Sequence, residues 1–166
     1  MRRKHIILRE VIKMGKSNKE LEADVVIIGT GASGLCAALT AGLGGGKVII
    51  FEKIPDYGGM TNYALGMFGI ETKRQKREKI GITAEEAFKR HVKNCHWLAD
   101  GRLVRAFMDK TASTIDWLEE LGVEFEGLDS YAPNGPRVWH PIKGFAGNGL
   151  IKPLLRSTQA EKTFNY

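Results

Sequence analysis

Four apolar residues, Val25-Val26-Ile27-Ile28, run straight into Gly29-Thr30-Gly31-Ala32-Ser33-Gly34, and no other junction limits the possible folds of the chain so strongly. A short apolar run ending in glycine reads as a buried parallel strand. Ala32 to Leu43, rich in Ala and Leu and closing in Gly42-Leu43-Gly44-Gly45-Gly46, reads as a helix with a glycine-rich exit. Val48-Ile49-Ile50-Phe51 gives a second buried strand that ends at Glu52. Together these predict one βαβ unit with a right-handed crossover. A GxGxxG string alone is weak. Here it follows a strand, opens a helix, and precedes an acidic residue at the end of the next strand, eighteen positions after Gly34.

That combination is the fingerprint of a dinucleotide site. Gly29 permits the tight turn, Gly31 lets a pyrophosphate approach the backbone, and Gly34 lets helix and strand pack closely. The helix start at Ala32 and Ser33 offers free N–H groups and a partial positive charge to the diphosphate. Glu52 is placed to accept hydrogen bonds from the adenosine ribose hydroxyls, and its charge disfavours a 2′-phosphate. NAD and FAD both contain ADP, so the βαβ unit does not separate them. The next stretch does: Glu52-Lys53 leads into Gly58-Gly59-Met60-Thr61-Asn62-Tyr63-Ala64-Leu65-Gly66-Met67, a second glycine-rich loop. An NAD domain normally continues with another crossover helix, whereas a flavin's remaining phosphate, ribityl chain and ring must lie against bare backbone.

Further along, Pro55 to Gly69 reads as a loop, followed by a charged linker to Gly81. Thr83-Ala84-Glu85-Glu86 is a capping-box pattern, and Ala84, Ala87, Phe88, His91, Val92 and Cys95 recur at helical spacing, predicting a helix to about Leu98. A second helix is expected over about Arg102 to Leu121, with Val104, Phe107, Met108, Ile115 and Leu118 as its apolar stripe and Gly122 as its stop. Val123 to Phe125 reads as a short strand, Ser130 to Gly149 as irregular, and Leu150 to about Gln159 as a last helix start.

Charge excludes some functions. The net charge of +6 is concentrated: between Met1 and Glu20, seven Lys and Arg face two Glu, leaving +5 before the first strand. Residues 1–23 are therefore read as a basic N-terminal extension with Met14 as a candidate start, and 24–166 as the folded domain. Lys73-Arg74-Gln75-Lys76-Arg77 has no interleaved aromatics, so the basic runs read as solvated segments and no nucleic-acid partner is implied. No stretch approaches the ~18 apolar residues of a membrane span. Two distant cysteines, Cys36 and Cys95, imply neither a disulfide framework nor a zinc site, which favours a reducing cytoplasm. Gly42 to Lys47 is not a P-loop, because Val48 stands where Ser or Thr should hold magnesium. His91 and His96, five apart, do not share a helix face and read as surface residues; no metal site is expected. Cys36 reads as core and Trp117 as part of a core stripe.

Asp24-Val25-Val26-Ile27-Ile28-Gly29, Glu52-Lys53, Gly58-Gly59, Ala64-x-Gly66, Asp116-Trp117-Leu118-Glu119-Glu120-Leu121-Gly122-Val123 and Gly147-Asn148-Gly149-Leu150 occur in an order that resembles the N-terminal part of the fumarate reductase and succinate dehydrogenase flavoproteins. The resemblance covers about Asp24 to Leu155. It implies an α/β fold, a Rossmann-like FAD-binding βαβ unit with additional helices, incomplete relative to the family. It implies that Ser33, Glu52, Lys53, Thr61, Gly66 and Met67 line the FAD, beside Gly29, Gly31, Ala32, Gly34, Gly58, Gly59 and Met60 of the two glycine loops. Some members hold FAD through a histidine in the second loop; Met60 to Gly69 contains none, so noncovalent FAD is expected.

The family's activity is hydride transfer through flavin N5 to or from a C=C bond, with small substrates such as unsaturated carboxylates. Its substrate-clamping segments and proton donors lie beyond the matched part. No catalytic residue is therefore assigned, and His140, in the Arg137-Val138-Trp139-His140-Pro141 loop, reads as a weak candidate. The chain is expected to be inactive alone, completed by a second polypeptide, or prone to self-association through an open sheet edge. The alternative is a small non-catalytic dinucleotide-binding or interaction module.

Overall fold

The computed structural model describes residues 22–130 and 133–160. The basic extension, apart from residues 22 and 23, and the candidate start at Met14 lie outside the described residues, as does the tail after 160. The chain divides into two compact units, one formed by the N-terminal part to Ala64 together with the segment from Gly147, the other by Leu65–Ala146.

The first unit is the expected βαβ. Strand β1 (Val25–Ile28), helix α1 (Ala32–Leu43) and strand β2 (Val48–Phe51) follow in order, and β1 pairs with β2 in parallel from Val25↔Val48 to Ile28↔Phe51. Helix α1 buries Leu35, Ala38 and Leu39 on one stripe. It packs against α5 (Asn148–Ala160), which buries Leu150, Ile151 and Leu154 at the complementary spacing. The glycine-rich exit of α1 acts as expected: Gly44 and Gly46 donate to Thr40 and Ala41 carbonyls, and Gly45 takes the left-handed conformation that favours glycine.

One expectation fails in this unit. Strand β2 is buried at Val48, Ile49 and Ile50, but β1 is not a buried strand: Val26 is 58% and Ile28 87% exposed. Among the described residues α1 covers β1 from one side only, on the face of Ile27. Side chains alternate across a strand, so Val26 and Ile28 share the uncovered face.

The second unit is built on helices α3 (Ala84–Asn94) and α4 (Gly101–Glu120), which pack together. Its core gathers Ile70, Ala87, Met108 and Val138, with Phe68, Ile82, Phe88 and Val104 against it. Thr83 and Glu86 form the expected capping box of α3, and Asp100 caps α4 through the Arg102 and Leu103 amides.

Other details differ from the expectation. The Pro55–Gly69 loop contains a 3-10 turn, Gly59–Tyr63, in the first unit and strand β3 (Gly66–Phe68) in the second. Strand β4 (Trp139–Pro141), inside the stretch expected to be irregular, pairs antiparallel with β3. The charged linker holds helix α2 (Lys73–Arg77), started by a buried capping box of Thr72 and Gln75. Val123 to Phe125 forms no strand; Phe125 makes a single bridge to Ile142. Helix α3 stops at Asn94 rather than Leu98, because His96 and Trp97 turn into left-handed backbone at φ 50 and 62. Phe107, expected in the apolar stripe of α4, is 52% exposed and stacks on Phe68 with ring centroids 5.8 Å apart.

Candidate functional site

The site of the first unit is built where β1 ends. Gly29 has φ +94 and donates its amide to the Phe51 carbonyl (2.7 Å), so the turn leaves β1 while still tied to β2. At Gly34 an added Cβ would stand 2.0 Å from the Gly29 carbonyl oxygen, which is the close helix-strand approach expected there. Gly31 differs from both. A Cβ on it would meet nothing nearer than 3.6 Å and its φ is −63, so the protein itself does not demand glycine at this position. The demand fits a ligand's approach instead.

The start of α1 is suited to an anion. Gly31 provides no side-chain cap, and the first turn holds no acidic residue. The Ala32 amide donates to Thr61 Oγ1 at 3.0 Å, which brings the second glycine loop to the first. In that loop Gly58 has φ +101, and the Asn62 side chain, held on the Tyr57 carbonyl, fills the place a Cβ would take. Gly59, Met60 and Ser33 are exposed.

Glu52 stands at the end of β2 with its carboxylate fixed. Thr30 donates to Oε2 through its hydroxyl and its amide (2.9 Å), while the Lys53 and Ile54 amides donate to Oε1 at 2.8 and 3.3 Å. The Thr30 hydroxyl is the largest influence holding this carboxyl below the usual carboxylate range, with the three amides acting the same way against partial burial. Lys53 is exposed beside it.

Gly66 and Met67 belong to the second unit, on β3, paired with Pro141 and His140. Packing within that unit already accounts for Gly66, since a Cβ there would stand 2.6 Å from the Trp139 ring and the His140 carbonyl. His140 itself is 1% exposed, with Nε2 3.1 Å from Thr72 Oγ1. Burial pushes its imidazole below the usual histidine range. Cys36 is half-buried and burial pushes its thiol up, in keeping with a packing role. His91 is an exposed residue of α3, 3.6 Å from Cys95 Sγ, while His96 lies past the helix end. Among the described residues no group of three or more potential metal ligands occurs, and no helix is long and apolar enough to cross a membrane.

Sequence reasoning missed Thr30 and Gly147. Thr30 occupies a free position of the GxGxxG pattern, which gives no signal for a hydroxyl there. Gly147 lies far along the chain, yet a Cβ on it would be 1.7 Å from the Thr61 carbonyl oxygen, so α5 starts in direct backbone contact with the 3-10 turn.

A parallel βαβ with a glycine-lined helix start and a carboxylate at the end of its second strand defines a Rossmann-type dinucleotide-binding protein. The FAD binding domain family matches residues 24–163, and the chain belongs to that family, with FAD as its cofactor. A vinyl phenol reductase of Lactiplantibacillus plantarum is 37% identical over 84% of this chain and 28% of its own length. An NADH:fumarate oxidoreductase of Klebsiella pneumoniae is 30% identical over 80% of this chain and 15% of its own. Among solved structures, the open conformation of a flavocytochrome c3 fumarate reductase matches with a TM-score of 0.76 and 27% identity, over 85% of this chain and 26% of that one. The 3-ketosteroid dehydrogenase of Rhodococcus jostii shares the fold, with a TM-score of 0.73 at 20% identity, over 96% of this chain and 40% of that one. The chain thus spans well under a third of the length of the curated relatives named here.

Proposed function

We propose that the chain holds FAD noncovalently for an oxidoreductase that passes a hydride between the flavin and an activated C=C bond. Carrying this reading is the start of α1, where Gly31 is open to a diphosphate and Glu52 stands fixed beside it. The residues supply binding and orientation: the first-turn amides of Ser33 and Gly34 take the diphosphate, the Ala32 amide being held by Thr61, while Glu52 takes the adenosine ribose and Gly58 to Thr61 form the backbone-lined path toward the flavin end. The bound flavin would supply the hydride chemistry, which is the cofactor's own. Relatives named for vinyl phenol and fumarate support a conjugated alkene as the substrate class, unsaturated carboxylates included.

Absorbance of the purified chain, before and after incubation with excess FAD and desalting, tests the cofactor reading. Retained flavin bands that acid precipitation moves wholly into the supernatant are expected. A folded chain retaining no flavin refutes the reading. Reoxidation of the reduced, flavin-loaded chain by fumarate or 4-vinylphenol tests the activity, and the same assay with added relatives' C-terminal segments tests whether a second polypeptide completes it.

A further inference from the structure

Thr30 is 1% exposed and carries the one side-chain hydroxyl of the first glycine loop's turn, between Gly29 and Gly31. Three contacts meet on it. Its hydroxyl and amide both donate to Glu52 Oε2, and the same hydroxyl accepts the Gly58 amide at 3.2 Å. A hydroxyl has one donor and two acceptor positions, so a single group ties the β1–α1 turn to the acidic end of β2 and to the second glycine loop. Each carboxylate oxygen accepts two donors: Oε2 the hydroxyl and amide of Thr30, Oε1 the Lys53 amide at 2.8 Å and the Ile54 amide at 3.3 Å.

We infer that Thr30 is a positioning residue for the cofactor: it fixes the Glu52 carboxylate for the adenosine ribose and sets the Gly58 loop against the same point. This rests on the FAD reading above. Serine keeps the hydroxyl, and valine keeps the shape without it. No charged side chain contributes to the lowering of the Glu52 carboxyl; the Thr30 hydroxyl leads, so its removal has a titration signature that a packing defect lacks.

The test is FAD affinity of the full chain, followed from pH 7.5 downward, for the wild type, Thr30→Ser, Thr30→Val and Glu52→Gln, with thermal melts of each. Hydrogen bonds to charged groups are strong enough that Thr30→Val is expected to weaken FAD by about tenfold or more. Its acid limb of binding should begin at higher pH, and Thr30→Ser should restore both. Carbon-13 titration of the Glu52 carboxyl in the cofactor-free chain should show the same upward move in Thr30→Val. Wild-type affinity and an unmoved Glu52 titration in a folded Thr30→Val overturn the inference while leaving FAD binding intact. Should Thr30→Val fail to fold, Glu52→Gln carries the test: a loss of about tenfold or more with no acid limb supports the inference, and wild-type affinity overturns it. A wild-type chain that binds no FAD overturns the cofactor reading and this inference together.

Discussion

Replacing each of two glycines, Gly31 and Gly34, by alanine separates what the fold requires from what the ligand requires. In Gly34→Ala the new methyl would stand 2.0 Å from the Gly29 carbonyl oxygen, where ordinary contact begins at 3.4 Å. Helix α1 must then retreat from β1 by about 1.4 Å, the difference of those distances. Alanine is favoured over glycine inside a helix by about 1 kcal/mol, but overpacking against backbone costs about 1–3 kcal/mol or more. The clash wins, and a domain with a total stability of roughly 5–15 kcal/mol loses a measurable part of it. In Gly31→Ala the methyl meets nothing nearer than 3.6 Å on an ordinary φ, so the stability change should stay within about 1 kcal/mol. FAD affinity should nevertheless fall at least tenfold, about 1.4 kcal/mol, because the methyl stands where the diphosphate approaches. Urea unfolding of the cofactor-free variants and flavin fluorescence titrations measure the two effects. The reasoning is refuted if Gly34→Ala unfolds at the wild-type midpoint, or if Gly31→Ala binds FAD as tightly as the wild type.

Gly147→Ala should destabilise the first unit by several kcal/mol, since its methyl would meet the Thr61 carbonyl oxygen at 1.7 Å; an unchanged melting temperature refutes the backbone contact. Burial holds His140 below the usual histidine range, so the neutral ring favours the folded state above about pH 6.5 and that advantage is lost as pH falls, the unfolded chain taking the proton first. His140→Gln should therefore be less stable at about pH 7.5 yet show a flatter loss between about pH 7.5 and 5.5 in urea midpoints, a window of about one unit either side of the ordinary value; equal slopes for both proteins contradict the assignment. Val26→Thr and Ile28→Thr change exposed positions and should alter stability by no more than about 0.5 kcal/mol while reducing self-association in sedimentation velocity. A wild-type chain that is monomeric throughout its concentration range counts against the sticky β1 face.

The parts of the fold that were legible are those where pattern and backbone geometry say the same thing. The apolar runs of β1 and β2, the glycine brackets of α1, and the Thr83–Glu86 box of α3 each gave type and position together. Gly29 and Gly34 were legible for the same reason, because their roles are backbone roles. What stayed hidden depends on partners distant in sequence. Strands β3 and β4, three residues each, are strands only because they face one another across more than seventy positions. Exposure of Val26 and Ile28 follows from which face of β1 is covered, which its own residues do not encode. Helix α2 hides among like charges because its starting signal, Thr72 with Gln75, turns inward and is buried. Thr30 is invisible for a related reason: its partners Glu52 and Gly58 come from two other segments.

The bond from the Ala32 amide to Thr61 Oγ1 bears on the cofactor-free chain. A helix start left without any cap would cost the empty protein about 1 kcal/mol. Here the chain lends its own hydroxyl to one first-turn amide and leaves the amides of Ser33 and Gly34 without a side-chain cap. The cofactor-free chain thereby satisfies one amide of the helix start by itself and leaves two to other partners.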